Sequence, residues 1–131
     1  MELDVALAND MAQRAAVRLT GGHVDVYDQA GARLARCLFS ANPFADPKGG
    51  AIAAHPFLPA IADRDGVPFR FEARDAIGEL ALSGTAGYRE DMPAPEMQFK
   101  TRRVVEGADV LIESFVFSVG ASVSAGDPQS T

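Results

Sequence analysis

Residues Val67 to Leu82 read VPFRFEARDAIGELAL. Within them Val67, Phe69, Phe71 and Ala73 alternate with Pro68, Arg70, Glu72 and Arg74, so one side is apolar and the other largely charged. That two-residue period is the pattern of a half-buried β-strand. A polar turn around Arg74, Asp75 and Ala76 leads into a second apolar run, with Leu80 and Leu82 on one face and Glu79 and Ser83 on the other. The stretch predicts an antiparallel hairpin, and it carries no catalytic motif.

Working upstream, HVDVYD sets Val24 and Val26 against Asp25 and Tyr27, and ARLARCLF returns after the turn Asp28-Gln29-Ala30-Gly31. These predict a first hairpin, with Gly31 free to take a positive φ. Before it, Leu3, Leu7, Met11, Ala15 and Leu19 recur at i, i+4 across an alanine-rich segment that stops at Gly21-Gly22. We expect an amphipathic helix over Glu2 to Leu19, packing on its own domain or reaching a neighbouring subunit. Between Ser40 and Gly66 the breakers Pro43, Pro47, Gly49-Gly50, Pro56 and Pro59 allow short strands only, at Ala51–Ala54 and near Leu58–Ile61.

Downstream, a second loop is expected from Thr85 to Glu96, then a short strand from Met97 to Thr101. The closing strand, Ala108 to Val119, is expected to be the longest. Its apolar residues change sides between Ile112 and Phe115, so either both faces are covered or a bulge near Glu113-Ser114 swaps the register; we favour a strand sandwiched in the middle of the domain. One helix followed by short strands with proline-marked connections predicts an all-β domain. The expected architecture is an antiparallel β-sandwich, jelly-roll or Greek-key like, with one N-terminal α-helix. Residues 1–20 would form the helix or arm, 21–120 the sandwich and 121–131 a flexible tail.

At 131 residues the chain is long enough to bury one core without disulfide or metal staples. The single Cys37 leaves no internal disulfide framework and suits a reducing cytoplasm. No apolar run approaches the roughly 18 residues of a membrane span, and Glu2 and Asp4 do not suit a secretory n-region. A net charge of −6 argues against a nucleic-acid surface. Lys100, Arg102 and Arg103 form the one basic knot, either a solvated strand end or a protein–protein contact.

Catalytic constellations are not evident. His23 is expected on the outward face of a strand and His55 in a loop, and neither lies near a nucleophile. Two isolated histidines give no metal-ligand spacing. Asp63-Arg64-Asp65-Gly66 matches the start of a calcium loop but lacks its later ligands, so a plain turn is expected. No phosphate-binding glycine pattern occurs. Neither an enzyme nor a cofactor-dependent protein is therefore expected.

Taken in order, the helix stop, HVDVYDQAGARLARCLF, the Asn42-Pro43-Phe44 turn, VPFRFEARDAIGELALSGTAG and VEGADVLIESFVFSV resemble a group of small virion proteins of tailed bacteriophages. The residues carrying the resemblance include Tyr27, Leu34, Leu38, Asn42, Pro43, Phe44, Phe69, Arg70, Leu80, Gly84, Gly107, Val110, Ile112, Ser114 and Phe115. The resemblance extends to about residue 120 and rests on turns and core positions. It implies a capsid cement or decoration protein with a jelly-roll-like fold, made in the host cytoplasm and located on the outer surface of the head. Its implied partners are the major capsid protein and further copies of itself, as a homodimer or homotrimer, with neither nucleic acid nor membrane. A tail or head–tail component is the alternative within the virion, and a carbohydrate-binding β-sandwich module is the alternative of another class. Candidate interface residues are Phe44 and Phe57 in the long loop, Tyr88 and Met92 in the second loop, and Arg102 and Arg103. Phe44 and Phe57 are equally consistent with core packing.

Overall fold

Strand alternation becomes pairing in the computed structural model, which describes residues 5–40 and 43–118. The elements are α1 (Val5–Leu19), β1 (His23–Tyr27), β2 (Arg33–Leu38), β3 (Ala51–Ala53), β4 (Arg70–Arg74), β5 (Leu80–Tyr88), β6 (Met97–Phe99) and β7 (Ile112–Ser118). The strands form one seven-stranded sheet in the order β2-β1-β4-β5-β6-β7-β3, and it is not closed. All neighbours are antiparallel except β5 and β6, which run parallel. Parallel neighbours ordinarily need a long crossover. Here the shared ladder runs only from Ala86↔Met97 to Tyr88↔Phe99. The chain has to step back about 7 Å, at roughly 3.3 Å per residue, and residues 89–96 suffice.

Val24, Val26, Ala35, Cys37, Phe71 and Ala73 fill the inner face of β1, β2 and β4, each almost fully excluded from water. A register shift beside Tyr27 makes Leu34 the extra residue of β2 and turns it inward, where it is buried against Gly66. The opening stretch keeps its core only at Phe71 and Ala73, because Val67 and Phe69 project past its end and remain about half exposed. Phe69 still joins the ladder, donating its N–H to Tyr27 O and accepting from Ala86 N–H. The turn lies later than Arg74–Ala76. Asp75 O accepts from Gly78 N–H, and the Asp75 carboxylate accepts from the N–H groups of Ile77 and Glu79.

β5 has nine residues and β7 seven, so β7 is not the longest strand, and the loop expected to begin at Thr85 begins after Tyr88. Gln98 faces Ser114 while Phe99 faces Ile112, which leaves Glu113 as a bulge. That extra residue is how the closing strand turns Phe115 and Phe117 inward while Val116 stays partly exposed.

The helix forms as expected, and of its expected stripe Leu19 is buried and Ala15 packs partly against the core, but the rest of the buried face is Ala8, Ala12 and Ala16. Leu7 and Met11 remain exposed. A row at i, i+4 advances about 40° around the axis at each step, so the expected five residues wind across half the helix. The alanines instead let α1 approach the sheet closely, and Asn9 Oδ1 accepts the Gly50 N–H at 2.8 Å. Leu3, Asn42, Val119 and the expected tail 121–131 lie outside the described residues.

No strand forms at Leu58–Ile61. Pro56 and Pro59 cannot donate, and the backbone bonds of residues 54–63 are shared among different strands. Ala54 donates to Phe115 O, Leu58 to Leu38 O, Ala62 to Ala108 O and Asp63 to Leu34 O, while Ala60 O accepts from Val110 N–H. This segment is a strap. It runs along the outer edge of β2 and ties it to the opposite end of the sheet.

Candidate interaction surface

β5 ends at Tyr88, and the loop that turns the chain into β6 is built around its last residues. Asp91 Oδ2 accepts the Tyr88 N–H at 3.0 Å, and Asp91 Oδ1 pairs with Arg102 at 3.1 Å. The Arg102 guanidinium lies 4.6 Å from the Tyr88 ring centroid. Tyr88 Oη donates to Glu90 at 3.3 Å. Met92, at the tip, is 88% exposed. Arg89 reaches Glu113 at 3.2 Å and ties the loop to the β7 bulge. Such exposed pairs contribute little stability each; their effect is to hold the loop in one shape. Tyr88 and Arg102 are therefore brought together, Met92 stands exposed in the same loop, and the exposed Arg103 follows Arg102 in the chain.

Phe44 and Phe57 are placed elsewhere, half-buried in an aromatic cluster. Phe39 lies 5.1 Å from each of them, Phe44 meets Phe117 edge-on at 5.8 Å, and Phe57 is 6.0 Å from Phe115. These two serve the core. Phe57 also lines a groove of about 350 Å³ between the strap and the start of β7, walled by Leu58, Pro59, Val110, Leu111 and Ile112, with Lys100 at its edge. The sequence marks the strap only through Pro56 and Pro59. The groove exists because the strap bonds to β7 near Phe115 and again at Val110, and diverts to β2 between these points.

On the outer face of β2, β1 and β4, the charged side of the opening stretch, Arg70, Glu72 and Arg74 are engaged with one another. Glu72 accepts from Arg70 at 2.9 Å and from Arg74 at 2.7 Å. Burial alone would raise the Glu72 pKa, but the two guanidiniums prevail and lower it. Asp25 is only 2% exposed. It takes a two-pronged contact from Arg36 at 2.8 and 3.2 Å, with Arg74 Nε 4.0 Å away. His23 shares the outer face with Asp25, as expected, but is half-buried there, and its Nε2 lies 3.5 Å from Asp25 without a hydrogen-bond partner. Arg70 covers the Tyr27 ring at 4.7 Å.

Cys37 is sealed in the core, and burial pushes its thiol up to about 12. Asp63 pairs with Arg33 and Asp65 caps the Glu106 N–H, so the calcium-like start is a turn whose carboxylates are in use. Among the described residues no group of three or more His, Cys, Asp or Glu is placed to hold a metal ion. No described helix is long and apolar enough to cross a membrane. The polar side chains described above brace strands and loops, while exposed apolar side chains occur on the helix, in loops and turns, and on strands at Leu38, Leu80 and Val116. No family model matches the chain, and neither the curated proteins nor the solved structures contain a significant match to it.

Proposed function

We propose that this chain is a bacteriophage virion structural protein, a cement or decoration subunit that binds the outer surface of the head and clamps adjacent major capsid proteins by non-covalent contacts. The single observation that carries this reading is the braced loop at Tyr88–Arg102. A frame of ion pairs and hydrogen bonds there presents Met92 almost fully to solvent. Exposed apolar anchors held by rigid surroundings are what a binding surface requires. The motif resemblance supplies the virion setting.

The jelly-roll reading of the fold belongs to the same proposal. It is supported by the strap, which links the two ends of the open sheet, and by phenylalanines from distant strands that share one core.

The test compares particles assembled with and without this protein. Particles lacking it should lose infectivity or genome retention at a lower temperature, and restoring the purified protein should recover the loss. Particles equally resistant in both states would overturn the clamping role.

A further inference from the structure

The groove between the strap and β7 has an apolar wall that includes Leu58 and Leu111, each 46% exposed. Lys100 also lines it; its N–H donates to Leu111 O, but its ammonium has no ion-pair partner among the described residues, whereas Glu113 is paired with Arg89. The groove therefore suits a narrow apolar side chain with a carboxylate close to it in the chain. The chain carries such a segment itself. In Glu90-Asp91-Met92-Pro93-Ala94-Pro95, Met92 is the most exposed large apolar residue described, and Asp91 is tied to Arg102, so the loop keeps its shape. The loop cannot be the occupant within one copy without breaking the Asp91 contacts that form it. Arg89–Glu113 places loop and groove side by side. Adjacent, complementary patches of this kind can be exchanged reciprocally about a two-fold axis.

We propose that two copies of this chain associate reciprocally, each seating Met92 in the other's groove with Glu90 against the other's Lys100. This rests on the reading of the protein as an assembling subunit and assigns Met92 to a second copy, which leaves the capsid contact to the rest of the Tyr88–Arg102 surface; it is tested without any particle, so its failure would leave capsid binding untouched. The experiment is analytical ultracentrifugation of the purified full chain over a wide concentration range, with Met92→Asp, Glu90→Lys and Lys100→Glu variants checked for native circular dichroism.

The wild type should reach twice the monomer mass, and Met92→Asp should weaken association at least tenfold. Glu90→Lys and Lys100→Glu should each remain monomeric alone, yet form dimers when mixed in equal amounts, because the mixture restores both opposite-charge contacts. A wild type that stays monomeric throughout would assign the groove to another occupant and overturn the proposal. Dimers that persist in all three variants, or a mixture that fails to associate, would overturn it equally.

Discussion

Phe71 of β4 and Phe115 of β7 meet edge to face, with ring centroids 4.9 Å apart and planes at 80°, although β5 and β6 lie between their strands. In a flat sheet, strand spacings of about 4.8 Å would separate them by roughly 14 Å. The sheet must curl until its distant inner faces touch, and the strap spans the remaining gap. This contact joins the two halves of the core.

Truncation at this junction should be costly. Phe115→Ala should lower unfolding free energy by about 3–5 kcal/mol, in the range for a large buried aromatic. A double-mutant cycle with Phe71→Leu should give a coupling of about 0.5–1.5 kcal/mol. Urea denaturation measures both, and additive losses would mean the rings do not interact.

Asp25 and Arg36 should behave as a buried pair with one partly wetted member. Asp25→Ala removes the acceptor beneath Arg36, whose side chain is 46% exposed and can turn to water. The expected loss is therefore about 1–3 kcal/mol, below the range for a fully buried pair. Replacing both residues, Asp25→Leu with Arg36→Met, should restore most of it. A double variant less stable than the single would contradict this account.

His23 gives the fold a pH dependence of defined sign. Burial lowers its pKa below the ordinary 6.5; the Asp25 charge pulls it back upward and Arg36 again lowers it. The unfolded chain therefore takes up the proton first as pH falls. Stability linked to His23 is complete above 6.5 and is lost as pH drops through that value toward the folded pKa. Denaturant midpoints between pH 8 and 5 should fall more steeply for the wild type than for His23→Gln. Parallel curves would show that His23 does not couple protonation to folding.

Cys37 should be silent toward thiol reagents. With its pKa pushed up to about 12 by burial, the native chain holds almost no thiolate at neutral pH. A colorimetric disulfide reagent should report one thiol per chain only after denaturation. Rapid native reaction would mean that the β1–β2 core opens readily.

The parts legible in the sequence are those whose cause is local. Val24 and Val26, or Phe71 and Ala73, announce their face by alternation, whereas the bulge at Glu113, the less favoured of two ways to reconcile Ile112 with Phe115, is the one that forms. The helix was legible but its face only in part, because an i, i+4 row of large residues winds around the axis while alanines can make the closer contact. Tyr88 read as loop because Gly84 and Gly87 are weak strand formers. They hold a strand here through pairing with β4 on one side and β6 on the other.

Other features arise only between segments far apart in the chain. Alternation puts Asp25 on the outer face of β1, and Arg36 and Arg74 from neighbouring strands then cover it. The groove needs the strap, β2 and β7 together. Of the expected interface residues, Tyr88 and Arg102 converge because the β5–β6 connection brings residue 102 back to residue 88.

Electron cryomicroscopy of the virion that carries this chain tests the central claim most directly. The account predicts density for the seven-stranded sheet and its single helix on the outside of the head, bridging neighbouring capsid subunits, with the Tyr88–Arg102 end in an interface. Density confined to the tail, or absent from the particle, would contradict it.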